Sequence, residues 1–312
     1  MTHRRFKLIY NPSAGIGRER TPFLSQIKRY QTLKKRSKSY SILSIIQDVF
    51  AAHNIDVDTH IIEKNDDAGD IAAACSANDY DAIVVAGGDG TINRVIQGLV
   101  NSEIPLGIIP VGSINILAME LGIPFDVAEA CKYIIKGKSR FMDLGQMNGR
   151  YFACMVGVGL DAKIIKHTTA DLKKYLGLLS FAVVACKKLL FHSFRPIHCL
   201  IDHQKEVHRG YAMIISNSKY YAGNYVLSEK AVIEDGKLDI ILLKDRGKRN
   251  FIRFVWHLAM GTLEFFDGIE QLQATHIEVC DESTHHIHVD AEYIGKHRAV
   301  ISVLPQALTV LC

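Results

Sequence analysis

Residues 82–100 limit the fold more than any other part of the chain. Ala82-Ile-Val-Val-Ala86 is a short continuous apolar run, Gly87-Gly88-Asp89-Gly90-Thr91 follows at once, and Ile92, Val95, Ile96, Leu99 and Val100 then recur at i, i+3, i+4, i+7 and i+8. A run that is apolar at every position suits a strand covered on both faces, and the later spacing suits a helix with one buried stripe. Strand, glycine loop and helix in that order predict a parallel α/β unit, with Thr91 available as the helix N-cap. Three glycines let backbone N–H groups approach an anion without Cβ obstruction, and the helix N-terminus adds positive potential. Asp89 in such a loop would repel phosphate unless it holds a metal ion or takes a proton from an attacking group, as phosphoryl transfer requires. The alternative is a tight turn in which Asp bonds to local backbone.

Two further apolar runs precede similar loops. Leu8-Ile9-Tyr10 leads into Asn11-Pro12-Ser13-Ala14-Gly15-Ile16-Gly17-Arg18, and Leu106-Gly-Ile-Ile109 leads into Pro110-Val111-Gly112-Ser113-Ile114-Asn115. In a parallel sheet the loops after the strands gather at the carboxyl edge, where ligands bind. Three such loops together point to a nucleotide. Taken singly, Asn-Pro-Ser opens an ordinary turn and Gly-Ser caps a helix. No GxxxxGK[ST] phosphate loop occurs, and Gly15-Ile16-Gly17 lacks the third glycine of the dinucleotide fingerprint, so the cradle is of another kind.

Beyond Phe141 the pattern changes to short apolar or alternating runs at residues 151–156, 197–201, 211–215, 238–243, 287–289 and 299–304, which predict a β-rich second domain. Helical spacing interrupts it at residues 172–190 and 250–266, with Phe251, Phe254, Val255 and Leu258 on one face of the latter. The boundary falls near Gly137-Lys-Ser-Arg140, giving domains 1–140 and 141–312, the last strand being able to pack back on the first. A length of 312 residues with 48% hydrophobic content fits two buried cores and excludes disorder. Lys and Arg number 37 against 33 Asp and Glu, and the resulting +4 is too small for a protein that binds nucleic acid through bulk charge. The apolar run at 175–186 stops at Lys187-Lys188, short of the ~20 residues a membrane-spanning helix needs. No secretory signal is visible, and seven scattered cysteines without a CxxC pair suit reduced thiols in the cytoplasm.

The motifs, taken in order, resemble the diacylglycerol kinase catalytic-domain superfamily, in particular the bacterial soluble lipid kinases related to sphingosine kinases. The resemblance runs through Asn11-Pro-Ser-Ala-Gly, Gly87-Gly-Asp-Gly-Thr-Ile-Asn, Pro110-Val-Gly-Ser-Ile-Asn, Ile123-Pro, Asp143-Leu-Gly, Gly157-Val-Gly-Leu-Asp161, Asn217 with Tyr220-Tyr-Ala-Gly223, Asp235-Gly-Lys-Leu-Asp239 and Asp290-Ala-Glu292. It implies an α/β nucleotide-binding domain followed by a β-sandwich that holds the lipid, with the active site in the cleft between them. It implies ATP against Asn11, Ser13, Gly15, Gly87, Gly88, Gly90, Thr91, Asn93, Gly112, Ser113 and Asn115. Asp89 and Glu292 become the catalytic acids. Asp235 becomes the side-chain ligand of a structural Mg2+, with the carbonyls of Val232 and Lys237 beside it, although Asp-Gly alone reads as a hairpin turn. The implied partners are a lipid substrate and the inner face of a membrane, bound peripherally, and a homodimer is left open. Two positions depart from the pattern. Ile116 stands where many bacterial members have a magnesium-linked Asp, and Ala291 stands where Gly is common.

Lys28, Arg29, Lys34, Lys35, Arg36 and Lys38 cluster beside Tyr30, Leu33 and Tyr40, as a lipid-docking segment or as a solvated helix face. His285, His286 and His288 precede the acid pair, and His286 with His288 would share one face of a strand; that spacing can bind a transition metal, but no third ligand stands at a fixed sequence distance, and a solvent-facing strand edge is the expectation. Cys154 and Cys199 read as small core residues. The reading is an ATP- and Mg2+-dependent lipid kinase. NAD kinase shares the GGDGT loop and is the rival phosphotransferase; a non-catalytic lipid-binding protein on the same scaffold is the rival of another class.

Overall fold

The computed structural model describes residues 4–14, 41–167, 194–281 and 283–312. These residues fall into two compact units; the first reaches Arg140 and regains Thr309–Cys312, and the second begins at Phe141 and reaches Leu308. Gly15, the basic cluster at 28–38 and the helix expected at 172–190 lie outside the described residues.

The first unit alternates strands and helices: β1 (Arg4–Tyr10), α1 (Ile42–Ala51), β2 (Ile55–Ile61), α2 (Ala68–Ala73), β3 (Ala82–Gly87), α3 (Asp89–Leu99), β4 (Leu106–Pro110), α4 (Ile116–Glu120) and α5 (Val127–Lys136). The strands lie parallel in the order β2-β1-β3-β4. Every residue of β3 and β4 is buried, which is why both read as unbroken apolar runs. In α3 the stripe of Ile92, Val95, Ile96 and Leu99 is buried as its spacing predicts. The helix starts earlier than expected, however: Gly88 is its N-cap with φ −96° and ψ 178°, so Thr91 lies inside the first turn. On the sheet's other side, the edge-on Phe6 and Phe50 rings, 5.4 Å apart, join β1 to α1.

The second unit opens with β5 (Ser139–Met147), β6 (Arg150–Phe152), β7 (Met155–Val158) and α6 (Leu160–His167), then resumes with β8 (Ile197–Ile201), β9 (Val207–Gly210), β10 (Met213–Ser216), β11 (Tyr220–Tyr221), β12 (Tyr225–Val226) and β13 (Leu238–Leu243). Helix α7 (Lys248–Met260) and a short 3-10 turn (Leu263–Phe265) precede β14 (Ile269–Ala274), β15 (His276–Val279), β16 (His285–Val289), β17 (Glu292–His297) and β18 (Val300–Leu311). One antiparallel sheet runs β14-β13-β10-β7-β16-β17, and a second carries β15, β8 and β9 beside the start of β18. Val156, Met213, Ile215, Leu238, Ile240 and Ile287 from the first sheet form one core cluster with Phe152, Cys199, Ile277, Val279 and Ile301 from the second. This is the expected β-sandwich. Its last strand is longer than residues 299–304: the end of β18 pairs in parallel with β4, Val310 beside Leu106.

Three local readings change. The run at 151–156 is two strands, broken where the Ala153 and Cys154 amides turn to Asp290. Val255 does not share the buried face of α7; Phe251, Phe254 and Leu258 do. His288 is not at a solvent-facing edge, because β16 has neighbours on both sides and a register shift between Ile287 and His288 turns the ring inward, where it is fully buried.

Candidate active site

In the first unit the three loops predicted from sequence are tied to one another. Asn11 receives its backbone bond from the sheet, its N–H donating to the Ala86 carbonyl, and its side-chain amide donates to the Thr91 hydroxyl at 2.8 Å. Its side-chain oxygen accepts from the Ser13 N–H, closing the first loop into an Asx turn. Asp89 reaches across to the third loop, where its carboxylate accepts from the Asn115 N–H at 2.9 Å and the Ile116 N–H at 2.7 Å. Those two amides open α4, and a carboxylate at a helix start is favoured. The second and third loops also meet backbone to backbone. A Cβ on Gly112 would lie 2.4 Å from the Gly88 Cα, so no other residue fits there without moving the loops apart.

Gly90 is different. It is exposed, lies in the first turn of α3, and a Cβ placed on it would meet nothing within 4 Å. Packing therefore gives no reason for glycine at this position, and glycine in a helix costs about 1 kcal/mol relative to alanine. A ligand that needs close backbone approach is a reason.

Other predicted ligands have local duties. Asn115 is fully buried in the left-handed region at φ 59°, and its side chain bonds back to the Gly112 N–H and carbonyl at 3.1 and 2.9 Å. It shapes the loop with that side chain. Asn93 is buried on α3, within reach of Gln97 at 3.4 Å. Ser113 is exposed on the third loop. Ile116, the departure from the family pattern, supplies its amide to Asp89, a contact any residue but proline could make.

The second unit holds the other candidates. Asp235 sits in a tight turn, its carboxylate accepting from the Lys237 N–H at 3.0 Å while its own N–H donates to the Val232 carbonyl at 3.3 Å. Buried Asp143 fixes that turn: its two oxygens accept from the Gly236 and Gln306 amides at 2.6 and 2.7 Å, and its N–H donates to the Ile233 carbonyl. Glu292 begins β17, half-exposed, and accepts from the Arg150 guanidinium at 2.6 Å. The turn before it, Asp290-Ala291, has φ of 43° and 62°, the left-handed pair that a two-residue hairpin requires. Asp290 anchors this turn by accepting from the amides of Ala153, Cys154 and Met155 at 2.8, 3.0 and 2.8 Å.

Sequence reasoning missed a buried cluster beside this hairpin. Asp161, the last residue of its motif, accepts from the Tyr221 hydroxyl at 2.5 Å and bonds His288 Nε2 at 2.6 Å, while the Ala291 N–H reaches His288 Nδ1 at 3.3 Å. Burial pushes the Asp161 carboxyl up, but the attraction and hydrogen bond of His288, with the Tyr221 bond, outweigh it and leave the group lowered. Burial and the Asp161 charge drive the Tyr221 hydroxyl well above its ordinary value. The pair rests on Gly157, where a Cβ would come within 2.2 Å of His288 Nε2 and 2.4 Å of Asp161 Oδ2. The three histidines of this stretch are each engaged locally, His285 with Asp281, His286 with the Tyr293 hydroxyl and His288 with Asp161.

Comparison with known proteins divides the chain in the same way. Residues 34–147 match the model of the diacylglycerol kinase catalytic domain, and residues 154–312 match that of the YegS C-terminal NAD kinase beta sandwich-like domain. A diacylglycerol kinase of Bacillus subtilis (strain 168) is 29% identical over 297 residues, covering 94% of this chain and 91% of that protein. One of Staphylococcus saprophyticus is 26% identical over 299 residues, covering 94% and 90%. The crystal structure of a diacylglycerol kinase from Bacillus anthracis str. Sterne superposes with a TM-score of 0.72 at 23% identity, covering 100% of this chain and 97% of that one.

Proposed function

We propose, since the chain belongs to the family that joins a diacylglycerol kinase catalytic domain to a YegS-type C-terminal domain, that it is a lipid kinase, phosphorylating a lipid hydroxyl at the expense of ATP. The observation that carries this reading is Gly90: a glycine that packing does not need, on a helix start, between loops held rigid by Asp89 and by the contact of Gly88 with Gly112. Such a loop offers backbone N–H groups to the phosphates, with Asn11, Ser13, Thr91 and Ser113 as the side chains around it. ATP supplies the phosphoryl group, and Mg2+ supplies charge neutralisation.

Asp235, with the carbonyls of Val232 and Lys237, is the proposed Mg2+ site of the second unit, an all-oxygen donor set of the kind a hard cation prefers. Of the two candidate bases, Asp89 has each oxygen engaged by a backbone amide, which suits a positioning role. Glu292, half-exposed at the head of its strand, is the better proton acceptor, and Arg150 orients it. The protein would act in the cytoplasm, lying on the inner face of the membrane.

The reading is tested with radiolabelled ATP, Mg2+ and an extract of the organism's lipids in detergent, the labelled product being identified by mass spectrometry. A phosphorylated lipid is expected. Transfer to NAD in the absence of lipid, or no transfer to either acceptor, would overturn it.

A further inference from the structure

Helix α7 is apolar on both of its long faces, which a helix covered on one side only does not need. Phe251, Phe254 and Leu258 seat it on its unit and are buried. Ile252, Val255, Trp256 and Met260 point the other way and are 57%, 44%, 65% and 59% exposed; Phe265, in the turn that follows, is 75% exposed. At 100° per residue, positions 252, 255, 256 and 260 share one arc with exposed Ala259, and Lys248 and Arg249 fall in the same arc at the first turn, so the outer face begins basic and is apolar from Ile252 onward.

The charges at the start of the helix are mainly positive. From residue 244 to 267, the span that includes Phe265, Lys244, Arg246, Lys248, Arg249 and Arg253 stand against Asp245, Glu264 and Asp267, five minus three giving +2, and four of the five cations fall within residues 244–249. All five cations are exposed, and Arg253 is paired with Asp267 at 3.0 Å. A helix with an apolar outer face, tryptophan within it and cations at its first turn matches the boundary between lipid headgroups and acyl chains. We propose that this face of α7, with Phe265, is the surface on which the protein lies on an anionic bilayer: Ile252, Trp256, Met260 and Phe265 enter the boundary, and Arg246, Lys248 and Arg249 meet lipid phosphates. The inference rests on the lipid-kinase reading and names how the enzyme would reach its substrate.

Trp256 is the single tryptophan of the chain and therefore reports on this face alone. The experiment follows its emission in the full-length protein as vesicles of phosphatidylcholine, with or without phosphatidylglycerol, are added in the absence of ATP. A blue shift is expected with the anionic vesicles, reversed by high salt and accompanied by quenching from lipids brominated near the headgroup. Replacing Lys248 and Arg249 together by Gln should weaken vesicle sedimentation roughly 25-fold, about fivefold per charge. Ile252→Ser with Met260→Ser should weaken it at least about tenfold while leaving phosphorylation of detergent-dispersed lipid unchanged. Vesicle binding with unchanged Trp256 emission would overturn the proposal, as would emission already blue-shifted in a dimer seen by light scattering, which assigns the face to a second copy of the chain. The detergent assay fails separately if the chain is not a lipid kinase.

Discussion

Replacing Asp89 by Asn should cost both stability and turnover. Both carboxylate oxygens of Asp89 accept from backbone amides, Oδ1 from Ile116 at 2.7 Å and Oδ2 from Asn115 at 2.9 Å. An Asn side chain keeps one acceptor and presents an NH2 group to the other amide, so one charge-assisted bond is lost and a donor is left facing a donor. Asn115 is fully buried and Asp89 and Ile116 are half-buried, so water replaces the lost partner poorly, and the expected loss is about 2–3 kcal/mol. At roughly 2–4 °C per kcal/mol for a unit of this size, melting should fall by about 4–12 °C. Scanning fluorimetry of both proteins measures it. Turnover on the labelled lipid should drop at least ~10²-fold, because the loops proposed to hold the phosphates are no longer held in register. Equal melting temperatures would refute the reasoning from geometry. Lower stability with turnover retained would make Asp89 a tie between loops and nothing more.

Asp235→Ala should abolish the gain in melting temperature that added Mg2+ gives the wild type, and an equal gain in both would reduce Asp235 to a turn residue. Gly157→Ala drives a methyl group into the Asp161–His288 pair, 2.2 Å from the His288 ring, and should destabilise by about 3–5 kcal/mol in urea; a loss under about 1 kcal/mol would show that the pair is not closed over that position. Ala291→Gly should stabilise by about 0.5 kcal/mol, because the left-handed φ of 62° costs alanine more than glycine loses in chain entropy; a lower urea midpoint would contradict this. Burial, reinforced by Lys163, Lys296 and Lys166, pulls the His286 pKa from 6.5 down to about 4, so the folded chain binds fewer protons than the unfolded chain between those values and loses stability as pH falls through that window. His286→Gln should flatten that acid limb, and an unchanged slope would discount the shift.

Continuous apolar runs made the buried strands β3 and β4 legible, and glycine between strand and helix made the loop that joins β3 to α3 legible. Strand β2 was not, because Ile-Asp-Val-Asp-Thr-His-Ile alternates with acids at the sheet edge, and its polar side faces outward to partners such as Lys7 and Tyr80. The grip of Asp89 on the third loop could not be read either, since it joins residues that only the sheet brings together. Likewise His288 reads as an exposed strand residue until a bulge and two neighbouring strands enclose it. What the sequence carries least well is long-range satisfaction of buried polar groups, and much of this candidate site is made of it.

Strand β18 has a consequence for synthesis. Its first residues pair with β15 in the second unit, and Val310 pairs with Leu106 in the first. The first unit is therefore not complete when Arg140 leaves the ribosome: β4 waits with an open hydrogen-bonding edge until residues 309–312 emerge. During that interval the nascent chain exposes the edge of a wholly apolar strand, the kind of edge on which chains misjoin. Removing the last four residues should thus harm the unit that is made first, and a pulse-chase of the truncated chain should show it in aggregates before the rest of the protein is lost.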